Sequence, residues 1–129
     1  MDLERHKEQV RLKRKENTTF FKKLKKTNPQ KLDALIHPLH EEVFACTDCL
    51  KCANCCKTTS PLFSERDIKR ISKYLRISPQ QLEDTYLKRD SDEYFVLQNS
   101  PCTFLGDDNY CSIYSVRPKA CQEFPHTNR

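Results

Sequence analysis

Hydrophobic residues recur at helical spacing through the first third of the chain. In residues 2–26 they are scattered among Lys and Arg without Gly or Pro, which predicts a helix that ends at Asn28-Pro29. A second set follows the i, i+3, i+4, i+7, i+11 spacing of one helix face and predicts an amphipathic helix: Leu32, Leu35, Ile36, Leu39 and Val43. Pro38 lies inside this segment and is expected to kink or split it.

Two further helices begin at clear start signals. Ser64 with Asp67, and Ser78 with Gln81, have the spacing of a capping box, in which the serine and the third residue after it satisfy each other's backbone N–H groups. Pro79 suits the first turn of the second helix. Apolar residues at helical spacing mark the inward faces of these helices: Ile68, Ile71 and Leu75 in the first, Leu82 and Tyr86 in the second.

The remaining segments are short. Residues 93–98 are aromatic and β-branched and predict a strand, residues 106–109 predict a turn, and Pro118 can begin a short helix. The cysteine-rich stretch 46–56 is expected to form loops or short turns. The predicted fold is mostly α, with a short β-hairpin and irregular cysteine-bearing loops, in a small metal-stapled domain.

Charge divides the chain into two parts. The first 31 residues carry a net charge of +7, whereas the whole protein carries +5, so the rest is slightly acidic. We therefore predict a basic helical arm at residues 1–30 and a cysteine-cluster domain at residues 31–129. The arm is a possible surface for a protein partner. Nucleic acid is not the expected partner, because no recognition motif accompanies the basic residues.

The N-terminus contains no apolar signal segment, and no apolar run approaches the ~18 residues of a membrane span. We therefore expect a cytoplasmic protein that does not enter a membrane. Thiols are kept reduced in the cytoplasm, where clustered cysteines more often bind metal than form disulfides.

All eight cysteines lie in two groups, at residues 46–56 and 102–121. Two cysteines in a C-x2-C turn can converge on one metal ion, and thiolates crowded together need protons, oxidation or a cation. Cys55 and Cys56 are adjacent, which suits two metals or a cluster of several irons better than one mononuclear ion. The spacing does not match the common ferredoxin pattern.

The segments CLKCANCC and PCTFLGDDNYCSIYSVRPKACQEFP resemble the YkgJ-like cysteine-cluster family, CxxCxxCC, whose domain is described as zinc- or iron-chelating. The resemblance runs from about residue 47 to 125. It implies that zinc or iron, with an iron–sulfur cluster as an alternative, is bound by seven cysteines: Cys49, Cys52, Cys55, Cys56, Cys102, Cys111 and Cys121. Cys46 lies outside the family motif.

The resemblance also suggests roles for the residues between the cysteines. Arg117 is expected to neutralise the thiolates or orient a ligand loop, and five apolar residues are expected to exclude water from the metal: Phe104, Leu105, Ile113, Tyr114 and Phe124. His126 could join a mixed Cys/His site, whereas His37 and His40 are expected to be ordinary helix residues.

Three functions remain open from the sequence. The protein binds zinc or iron through its thiolates, or it is a redox protein with an iron–sulfur cluster, or it is an adaptor for nucleic acid or protein with a purely structural metal. No set of nucleophile, base and orienting residue is visible, so the sequence assigns no catalytic residues and leaves enzymatic activity open.

Overall fold

The computed structural model describes residues 3–127; the ends of the predicted segments that fall on residues 1, 2, 128 and 129 lie outside this range. The chain divides into two compact units, one formed by Met1–Asp48 with Thr127–Arg129 and the other by Cys49–His126. None of the described helices is both long and apolar enough to cross a membrane.

The first unit consists of the helices α1 (Leu3–Leu12), α2 (Arg14–Leu24) and α3 (Pro29–Ala45). The predicted helix over residues 2–26 is therefore present but is interrupted at Lys13. α3 begins at Asn28, whose side chain accepts a hydrogen bond from the Lys31 N–H, and it continues through Pro38 without splitting. None of the described residues in this unit is buried.

The second unit alternates short helices with loops and a small hairpin. Its helices are α4 (Cys49–Cys52), α5 (Asn54–Thr58), α6 (Glu65–Leu75), α7 (Pro79–Tyr86) and α8 (Lys119–Gln122), with a 3-10 turn at Tyr114–Val116. Both predicted capping boxes are present, at Ser64–Asp67 and Ser78–Gln81. The stretch predicted as loops or short turns thus contains two short helices, and the helix expected after Pro118 forms.

Strands β1 (Leu87–Arg89) and β2 (Phe95–Leu97) form an antiparallel hairpin in which Leu87 pairs with Leu97. The predicted strand at residues 93–98 is therefore confirmed in a shorter form. The Phe63 N–H donates to the Phe95 carbonyl at 2.9 Å, which joins the segment before α6 to the outer side of β2. The hairpin is tied in this way to both the helical and the cysteine-bearing parts of the unit.

One hydrophobic core holds the second unit together. Ile71 and Leu82, from the predicted inward faces of α6 and α7, are fully buried there, and Tyr86 packs against the core. The other members come from the hairpin and the loops: Phe63, Ile68, Leu87, Leu97, Phe104 and Ile113. Cys102 and Cys111 pack against this cluster, so the core directly supports two of the predicted ligands.

Candidate metal centre

Helices α4 and α5 carry four of the predicted ligands, two on each helix. Ala53 separates the two helices and adopts the left-handed conformation, with φ 46° and ψ 16°, although it is not glycine. The Ala53 N–H donates to the Cys49 carbonyl at 2.8 Å, and only 4% of the residue is exposed. The chain changes direction at this buried residue, so the cysteines of α5 follow a sharp turn after those of α4.

Cys102 is joined to this segment through the backbone. Its N–H donates to the Cys56 carbonyl at 2.8 Å, across 46 residues of sequence. Leu105 then pairs with Cys111 in an antiparallel bridge around the predicted turn, where the Gly106 N–H donates to the Tyr110 carbonyl at 2.8 Å. These contacts bring together the end of the first cysteine group and the first two cysteines of the second group.

Burial and mutual repulsion act on Cys56 and Cys121. Burial, which is the largest cause, and the neighbouring Cys55, Cys102 and Cys121 together raise the pKa of the Cys56 thiol to about 12. Burial likewise raises the pKa of Cys121 to about 12, with added contributions from Cys102, Cys55 and Cys111. With a pKa this far above 7, both groups are neutral thiols at pH 7 unless a metal ion binds them.

Cys102 and Cys111 are affected in the same way. Burial is the main reason that the pKa of each is raised, although hydrogen bonds from backbone N–H groups oppose it. The Arg117 guanidinium lowers the pKa of both Cys111 and Cys121, so its positive charge acts on two of the thiols. The neutralising role of Arg117 stays a prediction; its guanidinium also stacks 4.0 Å from the centre of the Tyr114 ring.

Five of the seven predicted ligands form a set in which neighbouring cysteines raise the pKa of Cys56, Cys102 and Cys121: Cys55, Cys56, Cys102, Cys111 and Cys121. Cys49 is exposed and Cys52 is half-buried on α4, one turn before this group. All eight cysteines are free thiols. Within residues 3–127, no group of three or more Cys, His, Asp or Glu side chains already surrounds a common metal position.

The other candidate residues, which lie outside this set of five cysteines, have varied surroundings. Cys46 ends α3 in the first unit, where its thiol donates to the Val43 carbonyl at 3.2 Å. His40 contacts the Thr127 hydroxyl at 2.7 Å, and His37 is exposed. His126 differs from both, because its Nδ1 is buried without a hydrogen-bond partner among the described residues.

The apolar surroundings expected for the metal are only partly present. Phe104 and Ile113 are buried and Leu105 is half-buried, as that expectation requires. Tyr114 and Phe124 are 38% and 50% exposed, so the expectation is wrong for these two residues. Tyr114 lies on the surface because its ring is covered by a guanidinium, a polar contact that suits a solvent-facing position.

Two residues near the site were not predicted to have any connection with it. Asp67 is 2% exposed and Arg70 lies one turn later on α6, and together they bind the backbone just before Cys121. The capping-box spacing identified Asp67 as a helix-start residue. Its second role depends on partners about 50 residues away, which no local pattern reveals.

No solved structure matches the chain significantly. A family model described as "CxxCxxCC: Putative zinc- or iron-chelating domain" matches residues 48–129, which include every cysteine except Cys46. The match covers more than half of the chain and agrees with the resemblance found in the sequence. The protein therefore belongs to the CxxCxxCC family of zinc- or iron-chelating domains.

Proposed function

We propose that this protein binds zinc or iron through the thiolates of its second unit, and that the metal helps to organise that unit. The proposed ligands are the seven cysteines of the family motif: Cys49, Cys52, Cys55, Cys56, Cys102, Cys111 and Cys121. Cys46 is left out because it lies outside the matched range. The proposal places the protein in the cytoplasm, where the thiols stay reduced.

The observation that supports this best is the meeting of the two cysteine groups. The Cys102 N–H donates to the Cys56 carbonyl, Cys102 and Cys121 raise the pKa of Cys56, and Cys55 raises the pKa of Cys121. Sulfur donors suit zinc and iron, and a cation among them would offset both burial and repulsion. The donor chemistry therefore fits a thiophilic metal, and the unpartnered Nδ1 of His126 is a further donor in the same unit.

An iron–sulfur redox protein is the second candidate. Cys55 and Cys56 are adjacent; Cys55 raises the pKa of Cys102 and Cys121, and these two thiols in turn raise the pKa of Cys56. Adjacent ligands are easier to accommodate on a cluster with several metal atoms than on one tetrahedral ion. Bound zinc would supply structural stability, whereas a bound iron–sulfur cluster would also supply electron transfer.

Anaerobic purification followed by elemental analysis tests the proposal and separates the two candidates. Stoichiometric zinc without colour favours the first, and iron with acid-labile sulfide and visible absorption favours the second. Cys55→Ser and Cys121→Ser are expected to lower the metal content, whereas Cys46→Ser serves as the matched control and keeps it. Wild-type protein that binds neither metal when reduced and reconstituted would defeat the proposal.

We further propose that α1 and α2 bind the acidic surface of a protein partner. Both helices lack buried residues, and ten Lys or Arg residues lie within residues 5–26. Phe20 and Phe21 are each more than half exposed on α2, which offers apolar contact beside the positive charge. Reversal of the four charges Lys22, Lys23, Lys25 and Lys26 to Glu should abolish binding to an acidic protein captured by cross-linking. Binding of a polynucleotide instead would replace this partner with nucleic acid.

A further inference from the structure

Arg70 on α6 binds the backbone that leads into the Cys121 segment. Its Nη2 donates to the Arg117 carbonyl at 2.9 Å, and its Nε donates to the Val116 carbonyl at 3.4 Å. The same Nη2 also donates to Asp67 Oδ1 at 2.6 Å, so the guanidinium is fixed from its own helix. One side chain thereby holds two successive carbonyl groups just before α8.

Asp67 holds the start of α8 from the other side. Pro118, the residue that precedes the helix, has no side-chain group that could cap it. The Lys119 N–H instead donates to Asp67 Oδ1 at 3.2 Å, so a carboxylate from α6 acts as the missing cap. The other oxygen, Asp67 Oδ2, accepts hydrogen bonds from the Ser64 N–H and hydroxyl, which fixes the carboxylate in place.

The position of the Cys121 thiol depends on these contacts. The Cys121 N–H donates to the Pro118 carbonyl at 2.9 Å, so the turn that carries the thiol is built directly on the held residues. The Gln122 side chain adds a hydrogen bond to the Arg117 carbonyl at 2.8 Å. Groups that orient metal ligands in this way commonly change metal affinity about 10–100-fold when they are removed.

We propose that Asp67 and Arg70 are positioning residues that hold the Cys121 thiol in place for metal binding. This inference rests on the proposed metal-binding function. The α6 helix thus has two tasks: Ile68 and Ile71 bury its apolar face in the core, and Asp67 and Arg70 fix the loop that delivers the last ligand.

Arg70→Met tests the proposal, because the side chain is 39% exposed and methionine keeps much of its apolar length. Arg66→Met is the matched control, since Arg66 is exposed on the same helix and its replacement removes the same charge. The affinity for Zn²⁺ is measured in reduced full-length protein by competition with a chromogenic chelator. We expect Arg70→Met to raise the Kd about tenfold or more and Arg66→Met to leave it unchanged.

A double-mutant cycle with Cys121→Ser separates positioning from general stability. If Arg70 acts through Cys121, then Arg70→Met has little further effect on the Kd once Cys121 is replaced. If the losses of binding free energy in Arg70→Met and in Cys121→Ser add in full in the double variant, the proposal is overturned. Wild-type protein that binds neither zinc nor iron would instead defeat the proposed function, whereas normal wild-type binding with equal affinities for the two Arg variants would defeat only the positioning role.

A second measurement keeps the test decisive if Cys121→Ser abolishes binding. In metal-free reduced protein, mass spectrometry follows the rate at which iodoacetamide modifies Cys121. We expect faster modification in Arg70→Met than in the wild type or Arg66→Met, because the loop is no longer held. Equal rates in the three proteins would contradict the positioning role.

Discussion

Asp67 is a carboxylate that the fold keeps ionised in the protein interior. Burial of the side chain, which is 3% exposed, acts to raise its pKa. Hydrogen bonds outweigh this effect: the Ser64 hydroxyl and N–H, the Arg70 guanidinium and the Lys119 N–H all favour the charged form, so the pKa lies below its usual value of 3.8. The carboxylate therefore stabilises the folded state only while it is ionised.

This shift predicts how stability depends on pH. Because the folded pKa is the lower one, the contribution of Asp67 is complete above the unfolded value of about 4 and is lost as the pH falls through the folded value. Asp67→Asn should lower the free energy of unfolding by roughly 1–3 kcal/mol at pH 7. The difference between the variant and the wild type should narrow below about pH 4.

Urea unfolding of both proteins between pH 7 and 3, in the same state of metal loading, measures this difference. Asp84→Asn is the control, because Asp84 is exposed on α7 and its carboxylate accepts a hydrogen bond from the Gln80 amide on the surface of the same helix. It should change stability little at any pH. If the loss of unfolding free energy in Asp67→Asn stays constant from pH 7 to pH 3, the predicted dependence on the ionisation of Asp67 is wrong.

The sequence predicted that Asp67 forms a capping box with Ser64, but it did not predict the contact of Asp67 with Lys119. The Ser64–Asp67 spacing is sufficient to predict the capping box, because both partners lie in one helical turn. The contact with Lys119 joins residues 52 positions apart. Such a contact depends on how α6 packs against the cysteine loop, which hydrophobic periodicity does not specify.

At the scale of the elements, helix α6 ends at a residue whose backbone conformation is unfavourable for an amino acid with a side chain. Arg76 is the C-terminal cap and adopts the left-handed conformation, with φ 58° and ψ 40°. Glycine adopts this conformation without a steric penalty, so Arg76→Gly should stabilise the fold by roughly 0.5–1 kcal/mol. The melting temperature measured by circular dichroism should rise accordingly.

Arg76→Ala provides the control for this change. It removes the same exposed side chain but keeps the Cβ atom that the left-handed conformation disfavours. The alanine variant should therefore show no gain. Equal gains in both variants would indicate that loss of the arginine side chain, rather than relief of backbone strain, is responsible.

The hairpin and the α4–α5 segment show why some elements could not be predicted. Aromatic and β-branched residues marked β2, but its partner Leu87–Arg89 follows α7 directly and resembles the end of a helix. The turn between α4 and α5 depends on Ala53 in a left-handed conformation, which favours glycine or asparagine in a sequence pattern. Tertiary pairing and local strain decide these two elements, and neither is visible in residue spacing.

For the molecule as a whole, the sequence predicted a small cysteine-supported domain more fully than it predicted the arrangement of the thiols. The family motif treats its seven cysteines alike, whereas in the structure Cys49 is exposed and the other six are half-buried. The division into an arm at residues 1–30 and a domain from residue 31 stays a prediction. Along the chain, the boundary between the two compact units of the structure lies between Asp48 and Cys49.

The modest core makes the metal an expected source of stability for the whole second unit. Nine hydrophobic residues are buried among those described, all of them within Cys49–His126. A ligand present at 100 times its Kd stabilises the folded state by about 2.7 kcal/mol, which corresponds to roughly 10–20 °C in the melting temperature of a domain this small. Metal-loaded protein should therefore melt well above the chelated form.

Calorimetry of anaerobically reconstituted protein, before and after addition of a strong chelator, measures this shift, and restored metal should reverse it. Cys46→Ser is expected to keep the full shift, because its thiol donates to carbonyls of α3 and lies outside the family match. Cys121→Ser should lose much of the shift, since it removes a proposed, half-buried ligand on the segment that α6 holds. Identical melting of the loaded and chelated wild type would mean that the thiols support the fold without a metal.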